Sequence, residues 1–222
     1  MLDKRLKKIF DLCPECDCMA DIGTDHGHLP AELVRCGKVQ RAIACDISEP
    51  SLKKAEFTAR FSGLSHKIET RLGSGLERIS KGEVDTVVIA GMGGVLIGDI
   101  LKSAYDMITN ELFILQPMTS VPELRKDLKN SGFCITDEEM AEEGGRIYNI
   151  ICAKKGCMGD YDFESGTVLF EKRHPLLKVQ LEKNVLKFKG IIEGTEKSNP
   201  LNPDIPVLKQ KYAGYVDLLE RW

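Results

Sequence analysis

Cys18-Met19-Ala20-Asp21-Ile22-Gly23-Thr24-Asp25-His26-Gly27 decides the fold. Cys18 to Ile22 is a short apolar run that stops at Gly23, which suits a buried strand and its exit loop. Leu29 to Cys36 then reads as a helix, with Pro30 tolerated in its first turn and Gly37 as its stop. A strand, a glycine-bearing loop and a helix in that order form the first half of a β-α-β unit. Upstream, Leu6, Ile9, Phe10 and Leu12 fall at helical spacing.

Downstream the alternation repeats. Arg41–Asp46 is a second strand, and Ser48 caps a helix through Leu52, Ala55 and Ala59. Ile68–Leu72 is a third strand, ending at Gly73-Ser74-Gly75. Asp85–Ala90 is a fourth, ending at Gly91-Met92-Gly93-Gly94, with a helix over Val95–Tyr105. Glu111–Gln116 is a fifth, which Pro117 is expected to stop, with a helix over Pro122–Ser131. Phe133–Asp137 and Ile147–Ala153 have no helix between them and read as an antiparallel hairpin at a sheet edge. Nearly continuous apolar strands separated by helices indicate a parallel sheet covered on both faces. The fold class is therefore α/β, doubly wound and Rossmann-like, over residues 1–155.

After Lys155 the pattern changes. Gly156 to Gly166 reads as a linker. Pro175–Ile192 carries Leu177, Leu181, Val185 and Phe188 near heptad spacing. Ser198–Pro203 breaks the helix, and Val207–Trp222 has a second apolar stripe. Residues 156–222 are expected to be a linker and a C-terminal, coiled-coil-like helical hairpin.

With 222 residues, a net charge of −3, 29% charged and 42% hydrophobic residues, the chain reads as an ordinary globular protein. It shows no secretory signal and no membrane span, so the expected compartment is the cytoplasm. The eight cysteines are then expected to be thiols. Cys13-Pro-Glu-Cys16-Asp-Cys18 invites a zinc reading, but no second Cys-x-x-Cys exists to complete four ligands, and no metal is expected. Basic residues cluster at Lys4, Arg5, Lys7 and Lys8, and again from Lys172 to Lys189. Such runs are either solvated helix faces or phosphate contacts.

In open α/β sheets ligands bind outside the carboxyl ends of the strands, where strand order reverses. Gly23 and Gly27 would let the backbone approach a ligand closely. The dinucleotide fingerprint G-x-G-x-x-G is absent, because Asp25 stands at its second glycine and would repel a pyrophosphate. S-adenosylmethionine has no phosphate, and its ammonium and sulfonium groups are cationic, so Asp21 and Asp25 favour it. Asp46 ends the second strand where a ribose-binding carboxylate is expected. The Gly73–Leu76 turn ends the third, where an adenine ring would lie. Ala90-Gly91-Met92-Gly93-Gly94 reads both as a tight turn into a helix and as the floor of the reacting site. The cofactor-binding set is Asp21, Gly23, Thr24, Asp25, Gly27, Asp46, Ile47, Ser74, Gly75, Leu76, Ala90, Gly91, Met92 and Gly93.

Asp21-Ile22-Gly23-Thr24-Asp25-His26 with Leu29-Pro30, Ile89-Ala90-Gly91-Met92-Gly93-Gly94, Leu115-Gln116-Pro117 and Ile147-Tyr148 closely resemble the bacterial tRNA (adenine-22-N1)-methyltransferases. The resemblance is strong over roughly residues 1–155, and the C-terminal hairpin resembles that family's appendage in architecture. Three positions depart from the family pattern: His28 stands where Tyr is common, Ser74 where Asp or Asn is usual, and Met118 where Asn usually follows Gln-Pro. The resemblance implies methyl transfer from S-adenosylmethionine to N1 of an adenosine in tRNA, with the nucleotide extruded into the pocket. It also implies a carboxylate, here Asp25, to stabilise the cationic product base. Lys4, Arg5, Lys7, Lys8, Lys183, Lys187 and Lys189 are then the expected tRNA contacts. Nothing in the sequence points to an obligate protein partner.

Three other classes stand beside this one. A nicotinamide-dependent oxidoreductase lacks its middle glycine here. A small-molecule methyltransferase leaves the basic hairpin without a role. A non-catalytic RNA-binding protein on the same fold leaves the strand-end motifs without one.

Overall fold

The structure, a computed structural model, describes residues 2–222. Its elements run α1 (Lys4–Leu12), β1 (Cys16–Ile22), α2 (His28–Arg35), β2 (Val39–Asp46), α3 (Glu49–Phe61), β3 (Ile68–Leu72), β4 (Thr86–Gly93), α4 (Gly94–Ser103), β5 (Leu112–Thr119), α5 (Val121–Asn130), β6 (Phe133–Glu143) and β7 (Arg146–Lys155). After these come α6 (Thr167–Glu171), α7 (Pro175–Ser198) and α8 (Ile205–Glu220). A single 3-10 turn, Tyr105–Met107, follows α4.

The sheet has seven strands in the order β3-β2-β1-β4-β5-β7-β6. The first five are parallel, and the β6–β7 hairpin joins β5 antiparallel through β7. Strand order reverses between β1 and β4, which makes the carboxyl ends of those two strands the topological switch point. Residues of α1, α2 and α3 (Ile9, Leu33, Ala55) form one core layer with Met19, Ala42, Val88, Ile114 and Cys152. The buried side chains of α4 and α5, Ile97, Leu101, Leu124 and Leu128, pack on the other face.

Pro117 does not end β5, contrary to its expected stop. β4 runs on through Gly93, and the pairing slips twice, so that Met92 meets Pro117 and Gly93 meets Thr119. Proline lacks the N–H of a regular ladder position but is tolerated at such irregularities. Both strands thereby extend to the edge of the site. α6 is a short helix that the sequence reading missed.

Two compact units divide the chain at Glu164/Ser165. In the first, the 156–164 segment is held to the sheet domain by Arg125, which is 1% exposed. Its Nε donates to Glu138 (2.7 Å), and Nη1 donates to the carbonyls of Phe163 (2.9 Å) and Glu164 (3.3 Å). Tyr161 donates its hydroxyl to the same Glu138 (2.5 Å). In the second unit α7 and α8 pair antiparallel. Phe188 packs at a tilt against Tyr215 (5.4 Å) near mid-length, and Lys209 reaches Glu196 (2.8 Å) near the turn. Leu177, Leu181 and Ile192 of α7 and Ile205 and Leu218 of α8 are buried there. No helix among the described residues is long and apolar enough to cross a membrane.

Candidate active site

Parallel pairing in register brings the strand ends to one edge. Asp21 lies opposite Ala44 on β2 and Val88 on β4, Asp46 opposite Leu72, and Ala90 opposite Gln116. The loop after β1 turns sharply at Gly23 (φ +76°), where the amides of Gly23 and Thr24 both donate to the Cys45 carbonyl (2.8 and 3.1 Å). A Cβ on Gly23 would strike the Met92 methyl, so β4's Met92 lies directly over this loop. Gly27 (φ +65°) caps α2, where a Cβ would come within 2.9 Å of Ala55 on α3. Only glycine satisfies both demands at these two positions.

Asp21 is buried at the base of the loop, and Thr24 donates its hydroxyl to it (2.7 Å). Burial pushes its carboxyl up to about 6, and Asp46 adds to this. The Thr24 hydrogen bond and the Arg5 guanidinium oppose the shift. Asp25 adopts a left-handed conformation (φ 48°), which aspartate tolerates better than most residues. Its amide donates to Asp46 Oδ2 (3.2 Å), and its carboxylate pairs with Lys54 of α3 (3.2 Å) and lies 3.5 Å from His26. Asp46 also accepts from the Ser48 amide (2.8 Å), so one carboxylate fixes both the β1 and β2 loops. His26 and His28 stack at 5.3 Å, and burial together with His26 lowers the His28 pKa.

A cleft of about 410 Å³ opens here, lined by Arg5, Leu6, Asp21, Gly23, Thr24, Asp25, His26, His28, Leu29, Ala90 and Gly91. Of the expected cofactor residues, the cleft gathers Asp21, Gly23, Thr24, Asp25, Ala90 and Gly91. Gly27 and Met92 border it through the contacts above. Asp46 joins it through the Asp25 amide, and Ile47 beside it is exposed. Gly75 (φ +51°) packs against Ile100 of α4, and the Ser74 amide donates to Glu77 (3.2 Å). Leu76 instead lines a separate small cavity with Val84, Val87 and Phe113. Gly93 caps α4, and a Cβ on Gly94 would strike the Ser120 carbonyl.

The side chains of Arg5, Lys7 and Lys8 in α1 are engaged within the domain, and Lys4 is held through its backbone. Lys7 pairs with Asp11, Lys8 with Glu139 (3.2 Å), and the Lys4 amide donates to Glu143 (3.0 Å). Arg5 turns into the cleft. Its Nη1 donates to Gln116 Oε1 (2.7 Å) and its guanidinium lies over the Tyr148 ring (5.9 Å). Lys183, Lys187 and Lys189 are exposed on α7 in the other unit. Sequence reasoning did not place Arg5, Gln116 and Tyr148 together. Three elements far apart in the chain supply them, and no local spacing signals the meeting.

Cys13 ends α1 and Cys16 and Cys18 lie in β1, all as free thiols. Among the described residues no group of three or more His, Cys, Asp or Glu side chains is arranged to hold a metal ion.

A family model described as a methyltransferase domain matches residues 2–151. A tRNA (adenine(22)-N(1))-methyltransferase of Bacillus subtilis is 40% identical over 156 residues, 70% of this chain and 66% of that protein's length. Among solved structures, the B. subtilis m1A22 tRNA methyltransferase is 32% identical, covering 99% of this chain and 96% of its own, with a TM-score of 0.83. A candidate tRNA (m1A22) methyltransferase of Streptococcus pneumoniae, solved in complex with S-adenosyl-L-methionine, is 30% identical. It covers 99% of this chain and 100% of its own, with a TM-score of 0.90. The chain belongs to the methyltransferase domain family and, within it, to the bacterial tRNA (adenine-22-N1)-methyltransferases.

Proposed function

We propose that this protein transfers the methyl group of S-adenosylmethionine to N1 of adenosine 22 in bacterial tRNA, and that it acts in the cytoplasm. The observation that carries the reading is the acidic switch-point cleft, with Asp21 at its base and Asp25 at its mouth, in a chain of this family. A cationic ligand fits such a site, whereas a pyrophosphate would meet Asp25 where dinucleotide sites keep a glycine. Asp21, Gly23, Thr24, Asp25, Gly27, Asp46, Ile47, Ser74, Gly75, Leu76, Ala90, Gly91, Met92 and Gly93 are the residues assigned to hold the cofactor. The α1 residues Lys4, Arg5, Lys7 and Lys8 and the α7 residues Lys183, Lys187 and Lys189 are assigned to tRNA.

When bound, the cofactor supplies an electrophilic methyl on a sulfonium. The residues of this chain then have two tasks. The first is alignment: N1 carries an in-plane lone pair and needs no strong base, only an in-line approach that the Ala90–Gly93 floor and the Met92-covered loop define. The second is charge. The methylated base is cationic until a proton leaves N6, and the Asp25 carboxylate is assigned to stabilise it. Asp25 can serve only by sharing or releasing Lys54, its partner in the free protein.

Incubation of the purified protein with labelled S-adenosylmethionine and bulk bacterial tRNA, followed by nucleoside analysis, tests the reading. Label in 1-methyladenosine is expected, and it should be lost when adenosine 22 of the tRNA is replaced by another base. Label in another nucleoside, or none, overturns it.

A further inference from the structure

Three large apolar side chains stand in solvent beside the floor of the cleft. Val95 and Leu96, in the first turn of α4, are each 52% exposed, and Met118, near the end of β5, is 42% exposed. The backbone makes them neighbours. Met92 pairs with Pro117 and Gly93 with Thr119, and α4 begins so close to β5 that a Cβ on Gly94 would strike Ser120. The core side of α4 is already supplied by Ile97, Ile100 and Leu101, so packing of this domain does not call on Val95 or Leu96. The Met118 sulfur lies 3.6 Å from Gln116 Nε2, the other arm of the amide whose oxygen Arg5 meets. Single exposed apolar residues are ordinary. Three on one rim, continuous with the floor of a reacting site, mark a contact surface.

We propose that Val95, Leu96 and Met118 form an apolar lip that occupies the gap left in the tRNA when the target adenosine enters the cleft, stacking against the bases on either side. This rests on the tRNA-methylating reading above. N1 of a paired or stacked adenine is out of reach, so the nucleotide has to leave its stack. Its departure uncovers apolar base faces. Leucine and methionine side chains cover such faces by dispersion and demand no hydrogen bond, which is how apolar wedges hold distorted nucleic acid. The lip stabilises the opened state and leaves the chemical step to the cleft.

The test uses the full chain with Leu96→Ala and Met118→Ala combined. Both positions are exposed, so the melting temperature and S-adenosylmethionine affinity should match the wild type. Two substrates are compared: intact tRNA, and the same tRNA with an abasic nucleotide opposite the target adenosine. The variant should lose about tenfold in kcat/KM on intact tRNA and stay within about twofold of wild type on the abasic tRNA, where opening is already done. Equal loss on both substrates, or loss on neither, overturns the lip. So does a wild-type protein that self-associates through this rim, with the variant monomeric and its tRNA kinetics unchanged. Wild-type activity on intact tRNA reports separately on the underlying reading: its absence removes that reading, whereas its presence with an unaffected variant removes only the lip.

Discussion

Arg5 Nη1 donates to Gln116 Oε1 across 2.7 Å and so ties α1 to the far end of β5. Gln116 is fully buried, and its own amide nitrogen donates to the Pro117 carbonyl (2.8 Å), so Arg5 is the donor that satisfies its side-chain oxygen. Arg5→Ala leaves that oxygen buried without this donor and should destabilise the protein by about 1–3 kcal/mol. Because Arg5 also opposes the rise in the Asp21 pKa, the same variant should move the Asp21 midpoint upward. Urea denaturation checks the first effect. An unchanged unfolding midpoint would mean that the bond is replaced by solvent.

Asp21 makes cofactor binding pH-dependent. Its folded pKa, about 6, lies above the ordinary carboxylate value of 3.8. The free protein therefore gains stability from the protonated form, fully below the unfolded-state value, and loses it as pH rises through about 6. A cationic ligand has the opposite preference and needs the carboxylate. Affinity for S-adenosylmethionine should fall as pH drops through about 6, approaching tenfold per pH unit below that point. Asp21→Asn should bind weakly with a flat profile. Calorimetry across the range decides: an identical pH dependence in the variant would assign the titration to another group.

Asp25→Asn isolates charge from shape. Asparagine tolerates the left-handed backbone as well as aspartate does, and the Asp25 amide still reaches Asp46. What is lost is the exposed pair with Lys54 and the exposed approach to His26, each of the kind that contributes about 0–1 kcal/mol. The melting temperature should hold while formation of 1-methyladenosine falls by about 10²-fold, the scale of removing one transition-state charge partner. Near-wild-type turnover with cofactor saturating would clear Asp25 of a catalytic role and point to the Gly91–Gly93 floor.

The ends of β1 and β3 were legible because each pairs an apolar run with a glycine-bearing exit, at Ile22-Gly23 and Leu72-Gly73, and a parallel sheet aligns such ends without further instruction. The β6–β7 hairpin was legible from the missing helix between its strands. Pro117 misled, because a proline reads as a stop unless the partner strand is known to slip at that point. The meeting of Arg5 with Gln116 and Tyr148 was not legible at all: the first two are 111 positions apart, and an arginine among lysines reads as surface charge. The 156–164 segment looked like a linker for the same reason, since Arg125, which holds it, reads as part of an ordinary charged helix.

Arg125 should prove a strong stability determinant. Its guanidinium and the Glu138 carboxylate are both buried, at 1% and 0% exposure. Arg125→Met removes the cation and leaves a buried carboxylate without that partner, at a cost of about 3–5 kcal/mol. It also removes the donors to Phe163 and Glu164, so the 156–164 segment should become protease-sensitive before the domain unfolds. The paired replacement Arg125→Met with Glu138→Leu should recover much of the lost stability, because no uncompensated charge then remains. Limited proteolysis and thermal melts of the single and double variants check this, and a single variant as stable as wild type would show that the pair is solvated in practice.

The α7 lysines make a geometric prediction about tRNA. At 3.6 residues per turn, Lys183 and Lys187 lie one turn apart on the face turned away from the buried Leu177, Leu181 and Ile192. Lys189 lies about 200° around the helix from Lys187 and flanks the apolar stripe. A duplex backbone laid against the outer face can meet the first two together but not the third. Lys183→Gln with Lys187→Gln should therefore lower the log–log salt dependence of tRNA binding by about 1.8, at about 0.9 per lost duplex phosphate contact, while Lys189→Gln alone changes it little. Cofactor affinity should be untouched in both variants, because these residues belong to the other compact unit. Filter binding over a salt series separates the cases. An unchanged slope in the double variant would make these lysines a solvated helix face. The phosphate contacts would then fall to α1, where Lys7 and Lys8 are already held by Asp11 and Glu139 and would have to exchange those partners for the RNA.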